Sequence, residues 1–279
     1  MGKKICVITG GGSGMGLSAG KFMPTDHALL ITGRTLSKLE KAAEELREGG
    51  HEVFVHTCDT SDRASVRELA EYAASLGEIT NVINAAGMSP GMKTTQEQLL
   101  RINALGTVHI NEEFSRRMGK GSVIVDISSN SAYSMPQNPL FTHYFKLAET
   151  KPDEFVEKLV GLSSKAKGDY YKNGFAYMLS KMFVVWYAEK CAFEYGPKGI
   201  RVVSLSPGLI ATGMGELEKD AGGYLIEQAA ERRMGEPDEL GFAIATVADE
   251  RNGYLAGVDI LCDGGSTHGK KWRKSKRKK

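Results

Sequence analysis

The chain has 279 residues, a formal net charge of +2, and 41% hydrophobic and 25% charged residues. This ordinary globular composition excludes an intrinsically disordered chain, a collagen-like fibre and a membrane bundle. The length suits one large α/β domain that needs neither a disulfide nor a metal in order to fold.

Short apolar runs alternate with helical patterns along the chain. The runs lack the alternation of half-exposed strands, which favours strands buried on both faces of a parallel sheet. The predicted strands are Lys4–Thr9, Ala28–Thr32, Glu52–Thr57, Asn81–Ala85, Ser122–Ile127, Arg201–Ser206 and Val258–Cys262. Helical patterns such as Leu36–Glu48 and Asp62–Leu76 lie between them. The sequence therefore predicts a single doubly wound α/β domain of the Rossmann type over residues 1–266.

A glycine-rich turn follows the first predicted strand directly. Glycines allow a tight turn and a close approach to a pyrophosphate, and the helix that follows offers unpaired N–H groups. The position after the first strand favours a dinucleotide site over a flexible loop. The candidate binding residues in this turn are Thr9, Gly10, Gly12, Ser13, Gly14, Met15 and Gly16.

The residue after the second predicted strand distinguishes the two nicotinamide dinucleotides. Enzymes that use NAD usually place Asp or Glu there, where it binds the ribose hydroxyls. This chain has Gly33 and Arg34 at that point and no acid. A guanidinium can bind a 2′-phosphate through charge-assisted hydrogen bonds. Arg34 therefore favours NADP over NAD, although a solvated loop arginine would give the same sequence.

Tyr177 and Lys181 lie four residues apart in a predicted helix, Phe175–Phe193, and so share one face of it. A tyrosine phenol has a pKa near 10, and lowering that pKa by about three units takes roughly 4 kcal/mol. A nearby cation favours the phenolate, and a pair of charges at ~4 Å interacts by about 4 kcal/mol at intermediate dielectric. The spacing therefore predicts a general acid or base near neutral pH. A surface pair on an amphipathic helix would show the same pattern.

These motifs, with others in the same order, resemble those of the short-chain dehydrogenase/reductase family. The shared motifs span nearly the whole chain, and their joint occurrence is far more specific than any one of them. They are TGGGSGMG at 9–16, Cys58-Asp59-Thr60, Asn84-Ala85-Ala86-Gly87, Asn103, Asp126-Ile127-Ser128-Ser129, YMLSK at 177–181, Pro207-Gly208 with Thr212, and Asp263-Gly264-Gly265.

The resemblance implies a catalytic role for four residues. Tyr177 would transfer the proton while nicotinamide carries the hydride, and Lys181 would bind the nicotinamide ribose and lower the pKa of Tyr177. Ser129 would bind the substrate carbonyl oxygen, where charge develops, with Ser128 as the alternative. Asn103 would anchor a water that links Lys181 to solvent, although an asparagine there can also serve a helix hydrogen bond.

The resemblance also implies a set of cofactor contacts beyond the glycine-rich turn. Asp59 would meet adenine, with Thr60 beside it. Asn84 and Gly87 would flank the adenine ribose, with Ala85 in the same motif, unless Asn84 serves a turn hydrogen bond instead. Pro207, Gly208 and Thr212 would lie along nicotinamide.

An insert separates Ser129 from Tyr177, which are 48 positions apart here and usually much closer in the family. The insert, about 134–173, holds two proline-started apolar patterns, Pro139–Glu149 and Pro152–Leu162, which predict short amphipathic helices. It would either wall the substrate pocket or form a surface or subunit contact. An insert here resembles the branch with bacterial 3α-hydroxysteroid dehydrogenase/carbonyl reductases, which implies a bulky apolar ketone or alcohol.

Two more segments invite a functional interpretation. Residues 209–235, which include Gly213, Gly215, Gly222 and Gly223, suit a substrate lid, or else a loop with helix caps. The helix with Tyr177 continues into an apolar run over 182–187 and is therefore expected to be buried on most sides. Because the sheet covers one side only, we expect a homo-oligomer, a dimer or tetramer, with this helix at a subunit contact.

The last ten residues carry eight positive charges, so the rest of the chain is net negative. A basic block of this kind is usually a disordered tail, which we expect over 267–279. Contact with nucleic acid or anionic lipid is the alternative.

The cysteines and the apolar segments of the sequence bear on the cellular compartment of the protein. The four cysteines form no CxxC pair, and three lie in apolar runs, which predicts reduced, buried thiols. No signal peptide and no apolar run of membrane length is present in the sequence. We expect a cytoplasmic protein without a metal site or a specific nucleic-acid partner.

The sequence thus predicts an NADP-dependent oxidoreductase that interconverts a carbonyl compound and a secondary alcohol. A catalytically silent dinucleotide-binding sensor or scaffold is a second hypothesis, against which the set of Asn103, Ser129, Tyr177 and Lys181 argues. A nucleic-acid-binding protein that uses its basic end is a third.

Overall fold

The computed structural model describes residues 2–276. Seven parallel strands form one sheet in the order β3-β2-β1-β4-β5-β6-β7. Most of them are buried on both faces, as continuous apolar runs predict. The strands are β1 (Lys4–Thr9), β2 (His27–Gly33), β3 (Val53–Thr57), β4 (Glu78–Asn84), β5 (Val123–Ile127), β6 (Arg201–Pro207) and β7 (Asp259–Cys262).

Helices cover both faces of this sheet. They are α1 (Gly14–Phe22), α2 (Leu36–Glu48), α3 (Arg63–Leu76), α4 (Gln96–Leu100), α5 (Gly106–Ser115), α6 (Pro139–Phe145), α7 (Pro152–Ser163), α8 (Asp169–Tyr195), α9 (Gly213–Gln228), α10 (Pro237–Ala248) and α11 (Ser266–Lys276). One core lies between the sheet and α3, α5 and α8, and the other lies against α1, α2 and α10. The predicted doubly wound fold is confirmed.

The insert forms α6 and α7, close to the two predicted helices. Phe145 of α6 and Phe155 of α7 are fully buried and pack their rings against Phe183 of α8, with centroids 5.3 and 5.1 Å away. The insert therefore covers part of α8 from within the same chain.

α6 and α7 bury part of the apolar run of α8 within the single chain. Met182, Phe183, Val184 and Tyr187 are each at most 1% exposed in the single chain. Val185 and Trp186 of the same run stay partly exposed, and Phe193 further along α8 is 78% exposed, so the expected subunit contact along this helix stays a prediction.

The basic end differs from expectation as well. Residues 267–276 continue a helix, α11, rather than a disordered tail; residues 277–279 lie outside the described chain. Asp263 accepts hydrogen bonds from the Ser266 hydroxyl (2.9 Å) and the Thr267 N–H (2.7 Å), and so caps this helix. A Cβ at Gly269 would lie 1.9 Å from the carbonyl oxygen of Gln228, so glycine allows α11 to pack closely on α9. Within residues 2–276, no helix combines the length and apolar character that crossing a membrane requires.

Candidate active site

The predicted functional residues meet at one edge of the sheet. The chain leaves β1 and β4, which are neighbours in the sheet, toward helices on opposite faces. In open α/β sheets, this reversal of strand order leaves a crevice at the carboxyl ends of the strands, where ligands bind.

The glycine-rich turn connects β1 to α1 in the crevice. Gly10 has a φ of +67°, and a Cβ there would lie 2.9 Å from the main-chain oxygen of Ala85, so only glycine fits. No side chain caps the amino terminus of α1, and its first turn holds no acid. This end offers free N–H groups and a partial positive charge to an anionic group.

One cavity, the Arg34 cavity, opens on one side of the turn. Its volume is about 140 Å³, and it is lined by Thr9, Gly10, Thr32, Gly33, Arg34, Cys58, Asp59, Thr60, Ala86, Gly87, Met88 and Ile102. Asp59 accepts hydrogen bonds from the N–H (3.0 Å) and hydroxyl (2.7 Å) of Ser61. Within residues 2–276, no ion pair joins the exposed Arg34 guanidinium to a carboxylate. The structure thus brings six of the predicted cofactor residues together.

A second cavity, the Tyr177 cavity, is lined by two of the four predicted catalytic residues, Ser129 and Tyr177. It is lined by Met15, Ser128, Ser129, Asn130, Tyr177, Pro207, Gly208, Leu209, Ile210, Thr212, Met214, Gly215 and Leu225. Tyr177 is half-buried, and Ser129 is 8% exposed. A phenol and a hydroxyl therefore face the same small space, as a site that handles a carbonyl oxygen requires.

Lys181 lies beneath Tyr177, one turn further along α8. Its ammonium is 5.8 Å from the centre of the Tyr177 ring and donates a 2.9 Å hydrogen bond to the main-chain carbonyl of Ile127. The side chain is 6% exposed. Tyr177 and Lys181 thus lie on the same face of α8, as predicted, and the buried Lys181 ammonium lies beside the Tyr177 phenol.

The two adjacent serines have different partners. The Ser128 hydroxyl donates a 2.7 Å hydrogen bond to the main-chain carbonyl of Lys181. Ser129 accepts a 3.2 Å hydrogen bond from the N–H of Ser131, and this leaves the donor capacity of its hydroxyl for a ligand. The geometry favours Ser129 over Ser128 as the residue that contacts a substrate.

Asn103 lies in a π-helical turn, Arg101–Leu105, between α4 and α5. Single π turns are rare and often occur at functional sites. Its side chain accepts from the Met88 N–H (2.8 Å) and donates to the Met88 carbonyl (2.9 Å) and the Ser180 hydroxyl (3.2 Å). Asn103 thereby fixes the loop after β4 to the catalytic helix.

Gly87 marks the point where Asn103 and Lys181 meet. A Cβ at this position would lie 3.2 Å from Asn103 Oδ1 and 3.6 Å from Lys181 Nζ. Because Gly87 has no side chain, the space next to Asn103 and Lys181 stays open, and Gly87 itself lines the Arg34 cavity. The glycine-rich turn borders both cavities: Thr9 and Gly10 line the Arg34 cavity, and Met15 lines the Tyr177 cavity. The residues present therefore fit a dinucleotide that extends from one cavity to the other.

The Asn84 side chain makes hydrogen bonds within the protein, whereas the family resemblance implied that Asn84 would flank the adenine ribose. It is 4% exposed, accepts a 2.9 Å hydrogen bond from the Thr9 hydroxyl, and donates to Asp126 (2.9 Å) and Thr107 (3.2 Å). Its side chain lies below the crevice and joins the strands, so the alternative structural role applies to it. Ala85 likewise supports the turn through its main chain at Gly10.

The predicted lid is largely a helix. Thr212 caps α9 by accepting a 3.1 Å hydrogen bond from Gly215, and Met214, Gly215 and Leu225 line the Tyr177 cavity. The insert contributes no residue to either of the two cavities described here. The alternative in which the insert packs away from the pocket therefore holds in this structure.

Several lining residues escaped the sequence analysis. Met88 and Ile102 belong to none of the motifs, and Leu209 and Met214 lie in the segment predicted as a lid. Met88 and Leu209 lie shortly after the ends of β4 and β6, where their position was a signal; Ile102, in the π-helical turn beside Asn103, gave no such signal. Among residues 2–276, no cluster of three or more His, Cys, Asp or Glu side chains is arranged to hold a metal ion.

Comparison with protein families and curated proteins gives consistent matches. A profile described as short chain dehydrogenase matches residues 4–145, and one described as enoyl-(acyl carrier protein) reductase matches residues 140–267. A short-chain dehydrogenase/reductase of Alternaria brassicicola is 28% identical over 271 residues, covering 95% of this chain and 96% of the relative. The D-threitol dehydrogenase of Mycolicibacterium smegmatis is 27% identical, with coverages of 95% and 93%. The 3beta-hydroxysteroid dehydrogenase 2 of Eggerthella lenta is 26% identical, with 93% of both covered.

The fold matches solved structures over the same range. A short chain dehydrogenase from Burkholderia cenocepacia, determined in complex with NADP, superposes with a TM-score of 0.75 at 20% identity. The match covers 95% of this chain and 98% of that one.

Proposed function

Because the chain belongs to the short-chain dehydrogenase family, whose members are oxidoreductases acting on CH–OH groups, we propose that it interconverts a ketone or aldehyde and an alcohol with NADP. The observation that carries the proposal is the Tyr177 cavity. It holds the Tyr177 phenol and the Ser129 hydroxyl together, and the Lys181 ammonium lies 5.8 Å from the phenol ring.

In this proposal the side chains of the cavity act on the substrate oxygen. Ser129 donates a hydrogen bond to it, and Tyr177 gives it a proton during reduction or removes one during oxidation. The Lys181 charge favours the phenolate and so brings Tyr177 toward the pH of the reaction. Bound NADP supplies or accepts the hydride. Asn103 holds the loop after β4 against the catalytic helix, and we propose it as the start of a proton path to solvent.

The preference for NADP rests on the Arg34 cavity. Arg34 is exposed at the end of β2, and the first turn of α2 contains no acid that would repel a phosphate. A guanidinium in this position suits the 2′-phosphate that distinguishes NADP from NAD. We therefore place adenine near Asp59 and the 2′-phosphate at Arg34.

The proposed substrate is a bulky apolar ketone or hydroxysteroid. Leu209, Ile210, Met214 and Leu225 form the wall of the Tyr177 cavity opposite the catalytic residues. The Tyr177 cavity itself is small, about 70 Å³. A neighbouring chamber of about 410 Å³ shares Leu209, Ile210 and Leu225 with it, and its lining also contains the charged residues Glu231, Arg233, Glu239 and Asp263. We propose that a bulky substrate extends from the Tyr177 cavity into this chamber.

We also propose a homo-oligomer in a reducing, cytoplasmic compartment. The cysteines Cys6, Cys58, Cys191 and Cys262 are unpaired, which supports reducing conditions. We propose the subunit contact along the face of α8 that α6 and α7 leave uncovered, where Trp186 is partly exposed and Phe193 is 78% exposed. Light scattering at micromolar concentration tests this proposal, and a monomeric mass would contradict it.

The test of the catalytic assignment is Tyr177→Phe. We expect kcat for a ketone panel with NADPH to fall by about 10²–10⁴-fold, while the Kd for NADPH changes little, because only the proton donor is removed. Tyr171→Phe is a matched control, since this tyrosine lies in the same helix and is 68% exposed. If no panel member reacts with the unaltered protein while NADPH still binds, the silent sensor is favoured.

A further inference from the structure

A buried carboxylate lies behind the catalytic residues. Asp126 on β5 is 0% exposed, on the side of the sheet that faces α5 and α8. Its Oδ1 accepts from Asn84 (2.9 Å) and Asn111 (3.0 Å), and its Oδ2 accepts a second contact from Asn111 (3.0 Å). Two amides from different elements thus bind one carboxylate.

Hydrogen bonds lead from this carboxylate to the crevice. Asn84 accepts the Thr9 hydroxyl at the end of β1 and donates to Thr107 on α5. Thr107 in turn donates a 2.8 Å hydrogen bond to the main-chain carbonyl of Asn103 in the π-helical turn. Asp126 is therefore connected to the glycine-rich turn and to the segment that carries Asn103.

The charge of Asp126 acts on Lys181. The carbonyl of the next residue, Ile127, holds the Lys181 ammonium. Burial raises the pKa of Asp126 to about 6, and hydrogen bonds from Asn84 and Asn111 and the positive charge of Lys181 oppose that rise. Both carboxylate oxygens accept hydrogen bonds from amide N–H groups, an arrangement that favours the ionised form. The groups that act on it are Asn84 from β4, Asn111 from α5, and Lys181 and the neutral thiol of Cys191 from α8.

A negative charge in this place is costly for stability. A buried ionised carboxylate loses its hydration, and hydrogen bonds repay only part of that loss. An asparagine would occupy almost the same volume without the charge. A functional reason for the carboxylate is therefore worth testing.

We propose that Asp126 is a positioning residue for the reaction: its charge partly neutralises Lys181 and thereby sets the acidity of Tyr177, while its amide partners hold the Asn103 segment in place. The proposal rests on the proposed function of Tyr177. It gives a direction, because removing the negative charge leaves the Lys181 field at the phenol uncompensated and so lowers the pKa of Tyr177.

The experiment compares pH profiles of kcat/KM for oxidation of 1-phenylethanol with NADP⁺ in the unaltered protein and in Asp126→Asn. We expect the acidic limb to move to lower pH by about one unit in the variant. Asp126→Ser provides a smaller neutral group with the same expected shift if Asn prevents folding. An unshifted limb in a folded, active neutral variant would overturn the proposal.

Ile124→Ala is the matched control. Ile124 is fully buried two residues earlier on the same face of β5, and its truncation disturbs packing without changing charge. We expect a lower melting temperature and an unshifted limb; a shift equal to that of Asp126→Asn would show that destabilisation alone is responsible. Tyr177→Phe separates the two hypotheses. If it retains activity, the proposed function fails; if it is inactive while the Asp126→Asn limb is unshifted, only the role of Asp126 fails.

Discussion

The ammonium of Lys181 donates a 2.9 Å hydrogen bond to the main-chain carbonyl of Ile127, and so ties the catalytic helix to the end of β5. Ser128, the first residue after β5, makes a second connection: its hydroxyl donates a 2.7 Å hydrogen bond to the main-chain carbonyl of Lys181. These two bonds fix Tyr177 on α8 relative to Ser129 after β5. Lys181 therefore fixes the geometry of the site, in addition to the electrostatic role that we propose for it.

Replacement of Lys181 by methionine should reduce kcat by about 10²-fold or more, because the cation that favours the phenolate is removed. The fall should be measured in steady-state assays with saturating NADPH, beside a thermal unfolding curve that confirms folding. Lys172→Met is the control, since Lys172 lies on the same helix and pairs with the exposed Asp169. A folded Lys181→Met protein with unchanged kcat would contradict the role of the ammonium.

Replacement of Arg34 by alanine should weaken NADPH binding by about 10- to 100-fold, since hydrogen bonds to charged groups contribute about 1.5–3 kcal/mol. Binding of NADH should change by less than about twofold, because it lacks the 2′-phosphate. Fluorescence titration of both dinucleotides measures the difference, with Lys38→Ala in the first turn of α2 as the control. Equal losses for NADPH and NADH would remove the assignment of Arg34.

The buried Asp126 gives stability a pH dependence of known sign. Burial raises the pKa of the folded-state carboxyl to about 6 from 3.8, so the folded state binds the proton more tightly than the unfolded state. The contribution of Asp126 to the free energy of unfolding is therefore greatest at low pH and falls by about 3 kcal/mol as pH rises through this window.

Urea unfolding at pH 4.5 and pH 8 measures this effect as the difference between the unaltered protein and Asp126→Asn. The unaltered protein should lose about 2 kcal/mol relative to the variant between the two pH values. The subtraction removes the contributions of other groups. A pH-independent difference would show that Asp126 has no raised pKa.

Truncation of the insert core tests whether the insert stabilises α8 without shaping the pocket. Phe155→Ala removes a fully buried ring that packs on Phe183, and should reduce the free energy of unfolding by about 3–5 kcal/mol. Below the melting temperature, kcat should stay within about twofold, because the insert lines neither cavity. Leu140→Ala, at a 46% exposed position of α6, should change neither quantity. A large loss of kcat with little loss of stability would place the insert in the catalytic site.

The sequence predicts the sheet and the crevice well because both depend on local patterns. β1 begins and ends where its apolar run does, since a strand buried on both faces contains little else. β4 begins three residues before the predicted strand, because Glu78 pairs with Lys4 in the ladder although its side chain is exposed. Hydropathy cannot detect a pairing that involves the backbone alone.

Other features depend on contacts between distant segments and could not be predicted. The cap at Asp263 and the close packing at Gly269 make a helix of a segment whose charge predicts disorder. Asn84 matches a family motif, yet its side chain faces Asp126 rather than the crevice, and only the strand register determines that direction. The covering of α8 by α6 and α7 is likewise a tertiary contact.

The packing of α6 and α7 on α8 has a consequence for how the protein folds. The buried residues in the apolar run of α8 pack against α6 and α7 of the same polypeptide. This packing therefore forms in an intramolecular, first-order step. An obligate dimer that buried this run between two copies would melt at a temperature that rises with protein concentration. The contacts that Phe145 and Phe155 make with Phe183 lie within one polypeptide, so they do not depend on protein concentration.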